Sequence, residues 1–396
     1  MNICHVITRL IVGGAQENTL LTCAGLHERG HRVTLVIGPD VGPEGSLQAE
    51  AQAGGYDVLV VPSLVRAIRP FQDRLAWQEL TREFIRIQPD IVHTHSSKAG
   101  ILGRLAARDA KIPTLIHTIH GMSFNRTQRW PTRTLYRELE RYCGRFTHQI
   151  ISVADAMTRQ AVNAKIANPD KFTTVYSGMR TDWFSPQDHD RQAIRQNWGF
   201  GPETVVVGSV ARLFRNKGYE QLIPAMAEAA RTLPELRFVW VGDGPQRKEY
   251  EHQLERFGIR SKVYLTGLLE PTQVSQMLAG LDMLVHASQW EGLPRAAVQA
   301  LLMECPVVSF DIDGTREVVI PEQTGILVPL NKIDALAAAI VQLAKDGNQR
   351  LVFGRAGRER CLVQFDHHNM VDAIERVYKK LADRSHEPRS AREITS

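Results

Sequence analysis

The chain has 396 residues, of which 43% are hydrophobic and 23% charged, and its formal net charge is +5 at pH 7. This length exceeds what one hydrophobic core usually organises, so two domains are expected, and no run of 18 apolar residues predicts a membrane-spanning helix. Five dispersed cysteines without paired spacing exclude a disulfide scaffold and a zinc ribbon. With no secretory signal at the N-terminus, these features predict a cytoplasmic protein.

In the N-terminal half, short apolar strands alternate with helical patterns from the first residues onward. The predicted strands are 3–7, 33–37, 58–61, 91–93, 114–118 and 149–152, and the predicted helices are 16–29, 78–87, 98–108, 132–143 and 154–163. Repeated strand–helix alternation predicts a parallel sheet with helices on both faces.

The same pattern restarts in the C-terminal half, after a polar segment at 185–190 that contains Pro186. The predicted strands there are 205–210, 238–241, 263–265, 283–286, 307–309 and 326–328. We therefore predict an α/β protein with two doubly wound domains, 1–187 and 188–368, and a flexible tail at 384–396.

The first predicted strand leads into Gly13 and Gly14, and a helix follows. Two glycines allow a ligand close to the backbone, and a helix N-terminus favours negative charge. The loop is not a GxGxxG dinucleotide motif, and a tight turn that binds nothing explains it equally well.

Four histidines cluster at predicted strand ends: His93, His95, His117 and His120. Alternation along a strand places His93 and His95 on one face, which we expect to point toward an interdomain cleft. Imidazoles are common metal ligands, but no Asp or Glu joins them in recognisable ligand spacing. No metal site is predicted, and most of the four are expected to be structural.

A predicted helix carries Arg133, Arg137 and Arg141 at intervals of four residues, so they share one face. Either this face is solvated and forms Arg–Glu pairs, or it contacts anionic lipid headgroups or a lipid-linked acceptor. Nucleic acid is not an expected partner, because no helix-turn-helix or zinc motif accompanies the arginines.

Cations and glycines follow the strands of the second half. Arg212 and Lys217 come after the strand at 205–210, where a guanidinium and an ammonium group suit a diphosphate. Exposed loop charges are the alternative. Gly242 and Gly267 end two further strands, and their turns would let a nucleotide approach the backbone.

The segment from Leu284 to Pro306 combines a buried strand, a polar turn with Glu291 and Gly292, and a helix. Pro294 suits the first helical turn, so Glu291 is expected beside the free amides of a helix N-terminus. Gln299 lies eight positions later, about 12 Å along a regular helix axis. An elongated ligand could contact both side chains; an amphipathic helix with a capping acid is the alternative.

Strand, E-G-L, helix and C-P-V-V-S together resemble the donor-site helix of retaining family 4 glycosyltransferases, whose signature has a second Glu where this chain has Gln299. The R-L-x-x-x-K-G run with Arg212 and Lys217, and T-I-H-G with His120, resemble that family too. The order of motifs matches over nearly the whole chain. The resemblance implies the GT-B fold, two Rossmann-like domains facing across a cleft, with a helix at 369–383 bracing the N-terminal acceptor domain.

The resemblance also implies a reaction: transfer of a hexose from a nucleoside diphosphate to a hydroxyl acceptor, with retention of the anomeric configuration. By resemblance, Arg212 and Lys217 would neutralise the diphosphate without a metal or other cofactor, assisted by the amides of Gly292 and Leu293. Glu291 would hold sugar hydroxyls. Gln299 would contact the ribose of the donor, for which a UDP-sugar is expected.

On the other domain, the resemblance assigns His120 to the acceptor side and Gly13 and Gly14 to a loop near donor phosphates and acceptor. Gly242 and Gly267 would border the nucleotide. The acceptor is expected to be a lipid-linked or polysaccharide precursor of the cell envelope, reached at the inner face of the membrane.

Three other functions stay open. A nucleotide-sugar epimerase of the same architecture would need carboxylates placed for ring deprotonation, and a dehydrogenase would need a dinucleotide fingerprint. A donor-binding protein without catalysis is the third, because Gln299 departs from the family signature.

Overall fold

A computed structural model describes residues 1–39, 45–124 and 128–386. The chain divides into two compact units. The first unit consists of Met1–Met179 and the chain from His367 onward, and the second is Arg180–Asp366. Within the described ranges, no helix is both long enough and apolar enough to cross a membrane.

The first unit contains a parallel sheet with the strand order β3-β2-β1-β4-β5-β6-β7. Most of its strand residues are buried, as in sheets that are covered on both faces by helices. The strands are β1 (Asn2–Ile7), β2 (Arg32–Ile37), β3 (Asp57–Val60), β4 (Ile91–His95), β5 (Thr114–Ile119), β6 (Gln149–Ser152) and β7 (Phe172–Thr174).

The helices of this unit connect successive strands, and the last one returns from the far end of the sequence. They are α1 (Gly14–Glu28), α2 (Gln48–Ala53), α3 (Pro70–Ile87), α4 (Ser97–Asp109), α5 (Trp130–Phe146), α6 (Asp155–Asn163) and α15 (His367–His386). Helix α15 packs on α1, where Val371 and Tyr378 join the same apolar core as Ile3 and Ile7.

The second unit has a parallel sheet with the order β10-β9-β8-β11-β12-β13. Its strands are β8 (Val206–Val210), β9 (Arg237–Val241), β10 (Val263–Gly267), β11 (Met283–His286), β12 (Val307–Phe310) and β13 (Gly325–Val328). Its helices are α7 (Arg191–Asn197), α8 (Tyr219–Thr232), α9 (Arg247–Arg256), α10 (Pro271–Ala279), α11 (Arg295–Leu302), α12 (Thr315–Val318), α13 (Ile333–Lys345) and α14 (Gly347–Gln364).

In both sheets the strand order reverses beside the first strand of the unit, which is β1 in the first sheet and β8 in the second. Neighbouring parallel strands on the two sides of such a point send their following loops in opposite directions, which leaves a crevice at their carboxyl ends. Loops that carry functional side chains are therefore expected after β1 and β4 in the first unit, and after β8 and β11 in the second.

The predicted strands are all present, with ends that differ by a few residues. Strand β7 was not predicted, because three residues give too short a pattern to recognise. Helix α3 begins at Pro70 and not at 78, since proline is accepted in the first turn and the exposed side chains that follow weaken the apolar periodicity.

The units meet in sequence at 179/180 and 366/367, whereas the predicted boundaries were 187/188 and 368/369. The predicted linker at 185–190 contains a short 3₁₀ turn, Pro186–Asp188, and belongs to the second unit. The flexible tail predicted at 384–396 lies outside the described residues from 387 onward, and its first three positions continue helix α15.

Candidate active site

In the second unit, Lys217 and Glu291 form an ion pair at the carboxyl edge of the sheet. Strands β8 and β11 are parallel neighbours, so the loops that follow them emerge side by side. The Nζ atom of Lys217 donates a hydrogen bond to Oε1 of Glu291 at 2.5 Å. His286, the last residue of β11, places Nε2 3.4 Å from the same carboxylate oxygen.

Gly218 allows this pair to form. Its φ of 74° lies in the left-handed region, and a Cβ there would lie 1.8 Å from the backbone oxygen of Ala287. The loop after β8 therefore packs directly on the end of β11. The amide of Gln289 donates to the carbonyl of Asn216 at 3.0 Å and holds the two loops together.

The carboxylate of Glu291 stays ionised although it is largely buried. Burial by itself would raise the pKa of Glu291, but the Lys217 charge and the contact with His286 outweigh it and bring that pKa well below its usual range. The site therefore offers a fixed negative charge next to a cation, both with less than a fifth of their side chain exposed.

Asp313 supports Glu291 from the loop after β12. Its Oδ2 accepts a hydrogen bond from the amide of Glu291 at 2.9 Å. Asp313 has a φ of 38°, a left-handed conformation that glycine adopts more easily. This contact was not predicted from the sequence. The D-I-D-G run, a turn signal directly after a strand, was the available clue.

The helix after Glu291 starts later than predicted. Helix α11 begins at Arg295, with Pro294 in the preceding capping position, so Glu291 lies four residues before the helix and not at its first turn. The segment between them is irregular, because Pro294 cannot donate to the turn before it. The predicted 12 Å spacing between Glu291 and Gln299 assumed a regular helix over the whole segment, a condition that the four residues before Arg295 do not meet.

Gly292 and Leu293 are buried in the bend before α11, and their amides precede the helix. Gln299 is half-buried within α11. Among the described residues, none forms a side-chain hydrogen bond with its amide group. Gln299 thus has a polar group that a ligand can contact without breaking an internal bond.

Arg212 follows the end of β8 and is exposed, with its guanidinium 4.9 Å from the ring centre of Phe214. The two predicted glycines nearby come together, since the amide of Gly242 donates to the carbonyl of Gly267 at 2.9 Å. Gly242 has a φ of 131°, and a Cβ there would lie 2.3 Å from the backbone oxygen of Ala211. The loop with Arg212 is therefore placed by close backbone packing on Gly242.

In the first unit, Gly13 and Gly14 mark the start of α1, with Gly14 as its first residue. His120 lines a cavity of about 240 Å³ together with Ala15, Ser96 and Ser97. Ala15 follows Gly14 in the first turn of α1. The structure therefore brings the Gly-Gly turn and His120 to one side of the sheet.

The strand positions of His93 and His95 predicted that both side chains would point into an open cleft. This prediction is wrong. Both lie in the core, with at most 1% of their surface exposed, because Tyr378 of α15 covers that face of β4. His5 of β1 lies beside them. Nitrogen atoms of these three histidines come within 4.8 Å of one another, a spacing that a metal ion could use.

Each of the six ring nitrogens of these histidines already has a hydrogen-bond partner. His5 Nδ1 is 2.9 Å from His95 Nε2, and His95 Nδ1 is 2.9 Å from His120 Nε2. His93 contacts the hydroxyls of Tyr378 and Thr118, and His5 Nε2 is 3.5 Å from Tyr378. Burial lowers the pKa of His5 to about 3 and the pKa values of His93 and His95 well below the usual range, so the rings are neutral.

The predicted arginine helix is α5. Arg133 is exposed, whereas Arg137 contacts Glu138, and Arg141 bonds both to Glu138 and to the carbonyl of Ala164. Arg–Glu pairing thus involves two of the three arginines. Apolar side chains are exposed on the same helix, with Trp130 76% and Leu135 54% exposed.

Two family models match this chain. Residues 12–183 match Glycosyltransferase Family 4, and residues 190–360 match Glycosyl transferases group 1. The chain belongs to this glycosyltransferase family and is a transferase, and its two parallel-sheet units confirm the predicted GT-B fold class. These matches give no support to the epimerase or to a non-catalytic donor-binding protein.

The chain is 29% identical over 326 residues to the UDP-Gal:alpha-D-GlcNAc-diphosphoundecaprenol alpha-1,3-galactosyltransferase of Escherichia coli, covering 80% of this chain and 82% of that protein. It is 26% identical to the putative glycosyltransferase EpsD of Bacillus subtilis, covering 79% and 82%. Among solved structures, Anabaena HepE in complex with UDP-glucose superposes with a TM-score of 0.82 at 22% identity, covering 96% of this chain and all of that one.

Proposed function

We propose that this protein is a retaining glycosyltransferase that moves a hexose from a UDP-sugar to a hydroxyl group of a lipid-linked saccharide, in the synthesis of a cell-envelope glycan. The observation that carries the proposal is the pair of Lys217 and Glu291 at the carboxyl ends of β8 and β11. The name of the E. coli relative adds a UDP-sugar donor and a diphosphoundecaprenol-linked acceptor.

The diphosphate of the donor would bind to Arg212 and Lys217. When the bond between sugar and phosphate breaks, negative charge grows on the leaving diphosphate, and positioned cations stabilise that state more than the ground state. Lys217 is held by Glu291, so its ammonium group is already positioned. These two side chains would supply the charge that a metal supplies in other transferases.

Glu291 would accept hydrogen bonds from hydroxyls of the sugar. Its carboxylate is ionised, and Asp313 fixes its backbone, so the acceptor atoms need little reorganisation on binding. Gln299, with an amide that no described residue engages, would contact the ribose. Gly242 and Gly267 would border the nucleotide, and Gly13, Gly14 and His120 would face the acceptor side.

A panel of nucleotide sugars tests the donor. The purified protein is incubated with UDP-, GDP-, ADP- and dTDP-sugars and a polyprenyl diphosphate saccharide, and nucleoside diphosphate release is measured. We expect release from a UDP-hexose that depends on the acceptor, and loss of that release in Lys217→Ala. Release from no donor in the panel would contradict the proposal.

Two further measurements address the mechanism. Nuclear magnetic resonance of the first product formed should show the same anomeric configuration as the donor, and inversion would contradict retention. Activity should persist after treatment with EDTA. Loss of turnover that Mg²⁺ or Mn²⁺ restores would assign the diphosphate to a metal and not to Arg212 and Lys217.

Contact with an anionic membrane through α5 is part of the proposal. A lipid-linked acceptor is reached at a bilayer surface, and α5 combines exposed Trp130 and Leu135 with arginines. Aromatic and aliphatic side chains among cations are typical of helices that lie in the headgroup region. This contact would place the protein at the inner face of the membrane.

A further inference from the structure

We infer that a buried chain of hydrogen bonds from Tyr378 through His5 and His95 holds His120 in one tautomer, with the proton on Nε2, and makes His95 the positioning residue for His120. The inference rests on the proposed function and deepens it, because that proposal places His120 on the acceptor side, and His120 lines a cavity of the first unit. The tautomer itself can be measured without any substrate.

The hydrogen-bond chain links four segments of the first unit that are far apart in sequence. Residue 5 comes from β1, 93 and 95 from β4, 120 from the end of β5 and 378 from α15. The core members are at most 1% exposed, so no solvent molecule replaces these contacts from outside. A neutral imidazole has one N–H and one lone pair, so each ring must donate at one nitrogen and accept at the other.

Tyr378 sets the direction of the chain. Its hydroxyl oxygen is 2.5 Å from His93 Nδ1 and 3.5 Å from His5 Nε2, and it carries a single hydrogen. A phenol O–H is a stronger donor than an imidazole N–H, so we assign its hydrogen to the shorter contact and make Nδ1 of His93 the acceptor. The other nitrogen of His93 then carries the proton and donates to the hydroxyl of Thr118 at 2.6 Å.

The direction then passes to His5. With the hydrogen of Tyr378 directed at His93, an unprotonated Nε2 of His5 would face no donor among the described residues. A protonated Nε2 instead donates to the oxygen of Tyr378, and buried polar groups are rarely left unpaired. His5 is therefore protonated on Nε2 and accepts at Nδ1.

The proton positions of the remaining two rings, His95 and His120, are then determined. His5 Nδ1 accepts from His95 Nε2, and His95 Nδ1 accepts from His120 Nε2, each at 2.9 Å. The proton of neutral His120 is thus on Nε2, and Nδ1 is the atom of that ring that can take a proton. The reverse direction would put the proton on Nδ1 in all four rings, so the two directions give opposite results.

Two other hydrogen-bonded histidines, one buried and one exposed, serve as internal references. Nδ1 of His148 accepts from the amide of Leu115 at 2.9 Å, which requires a proton on Nε2. Nδ1 of His117 is 3.1 Å from the carbonyl oxygen of Thr94 and 2.9 Å from its hydroxyl; since that hydroxyl donates to the carbonyl of Ile116, we assign the proton of His117 to Nδ1. Neither ring belongs to the hydrogen-bond chain.

The test is ¹⁵N nuclear magnetic resonance of the full-length protein labelled at histidine, with assignments from single substitutions. Two-bond couplings distinguish the two neutral tautomers. We expect His5, His93, His95 and His120 to match the pattern of His148 and to differ from that of His117. A proton on Nδ1 of His120 in the wild type would overturn the inference.

His95→Leu and His95→Asn separate positioning from packing. Leucine fills the space but offers no acceptor, whereas the asparagine oxygen can still accept from His120 Nε2. We expect His95→Leu to lower kcat with the acceptor about 10²-fold, since the reacting groups lose their orientation, and to leave donor KM unchanged. We expect His95→Asn to recover most of that loss and to keep the Nε2 tautomer of His120.

His148→Asn removes an exposed histidine outside the hydrogen-bond chain and is the control for a general effect of losing a hydrogen-bonded ring. An unchanged His120 spectrum and unchanged kcat in His95→Leu would overturn the positioning role. So would one equivalent of bound metal in the purified protein, because a metal would replace the hydrogen bonds of His5, His93 and His95. If the tautomer is as expected but no donor is turned over, the proposed function is contradicted, whereas the inference about the hydrogen-bond chain is supported.

Discussion

The two units of this protein place their polar side chains in different ways. In the second unit, Lys217 and Glu291 are charged, largely buried and paired at a sheet edge. In the first unit, His5, His93 and His95 are neutral, fully buried and joined by hydrogen bonds that end at His120. In our proposals, the first arrangement offers charge to a ligand, and the second fixes the orientation of a ring.

The difference follows from what burial costs. A charge that keeps contact with solvent and a counterion can be strong and still compatible with folding. A ring in the core must give up its charge, and a hydrogen bond is then the only means by which it can influence a neighbour. We therefore expect substitutions in the two regions to change different measurements.

The largest effect is expected from removing a cation of the second unit. Arg212→Ala and Lys217→Ala should each lower kcat by about 10²-fold or more, because the lost charge matters most as the diphosphate leaves. Steady-state kinetics with saturating donor would show this.

Arg215→Ala is the matched control, since Arg215 lies in the same loop but is 74% exposed and pairs with Glu249 at the surface. It should keep nearly all activity. Wild-type kcat in a folded Lys217→Ala variant would contradict the assignment of charge chemistry to this edge.

The next largest effect is expected on the free energy of unfolding at low pH. The pKa of His5 is lowered to about 3 in the folded protein, whereas an unfolded histidine has a pKa near 6.5. The unfolded state therefore binds more protons between those values, and stability falls as the pH drops through this window. At pH 5 the loss is about 2 kcal/mol for this ring, relative to pH 7.5.

His5→Gln should be less stable than the wild type at pH 7.5 but should lose about 2 kcal/mol less on going to pH 5. Urea unfolding at both pH values measures this. His252→Gln, at an exposed position, should keep the wild-type difference. The Lys217–Glu291 pair also loses stability in acid but in a lower pH window, because the lowered pKa of Glu291 keeps its contribution intact until the pH falls below about 4. If His5→Gln and the wild type lose the same stability between pH 7.5 and pH 5, the proposed effect of burying His5 is contradicted.

A smaller effect is expected at Gln299. A carboxylate makes charge-assisted hydrogen bonds to ribose hydroxyls that are stronger than those of an amide by about 1 kcal/mol. Gln299→Glu should therefore lower donor KM several-fold and barely change kcat, because the ribose is remote from the reacting bond.

Gln289→Glu adds the same charge in the loop before Glu291 and controls for general repulsion of the diphosphate. If Gln299→Glu weakens the donor as much as this control does, Gln299 has a different contact, and the position of the nucleotide along α11 is wrong.

The smallest effect per residue is expected on α5. Binding to vesicles with anionic lipid should weaken by about 1 kcal/mol at low salt for each arginine replaced by Gln. We expect Arg133 to contribute most and Arg141 least, because Arg141 is held by Glu138 and Ala164.

Replacing the exposed residues Arg86, Arg231 and Arg256 by Gln removes the same charge elsewhere and should leave binding unchanged. Sedimentation with vesicles of phosphatidylglycerol and of phosphatidylcholine measures both sets. A wild type that ignores anionic vesicles would leave α5 as a solvated helix with Arg–Glu pairs.

The sequence alone determined the two parallel sheets, since short apolar strands separated by helices have few other solutions. It also identified the loop cations Arg212 and Lys217 and the acid Glu291, because these lie in local motifs next to strand ends. That Lys217 and Glu291 touch follows from the adjacency of β8 and β11, which the strand pattern does not specify. The start of α11 was missed because Pro294 fits either a first turn or a cap.

Only the tertiary structure decided the state of the histidines. Alternation placed His93 and His95 on one face of a strand, but nothing local indicated that Tyr378, more than 280 residues later, would cover that face. His5 carried no signal, because a histidine in an apolar strand reads as an ordinary core residue. A hydrogen-bonded chain depends on the packing of β1, β4, β5 and α15 together, and such contacts between distant segments leave no periodic pattern in the sequence.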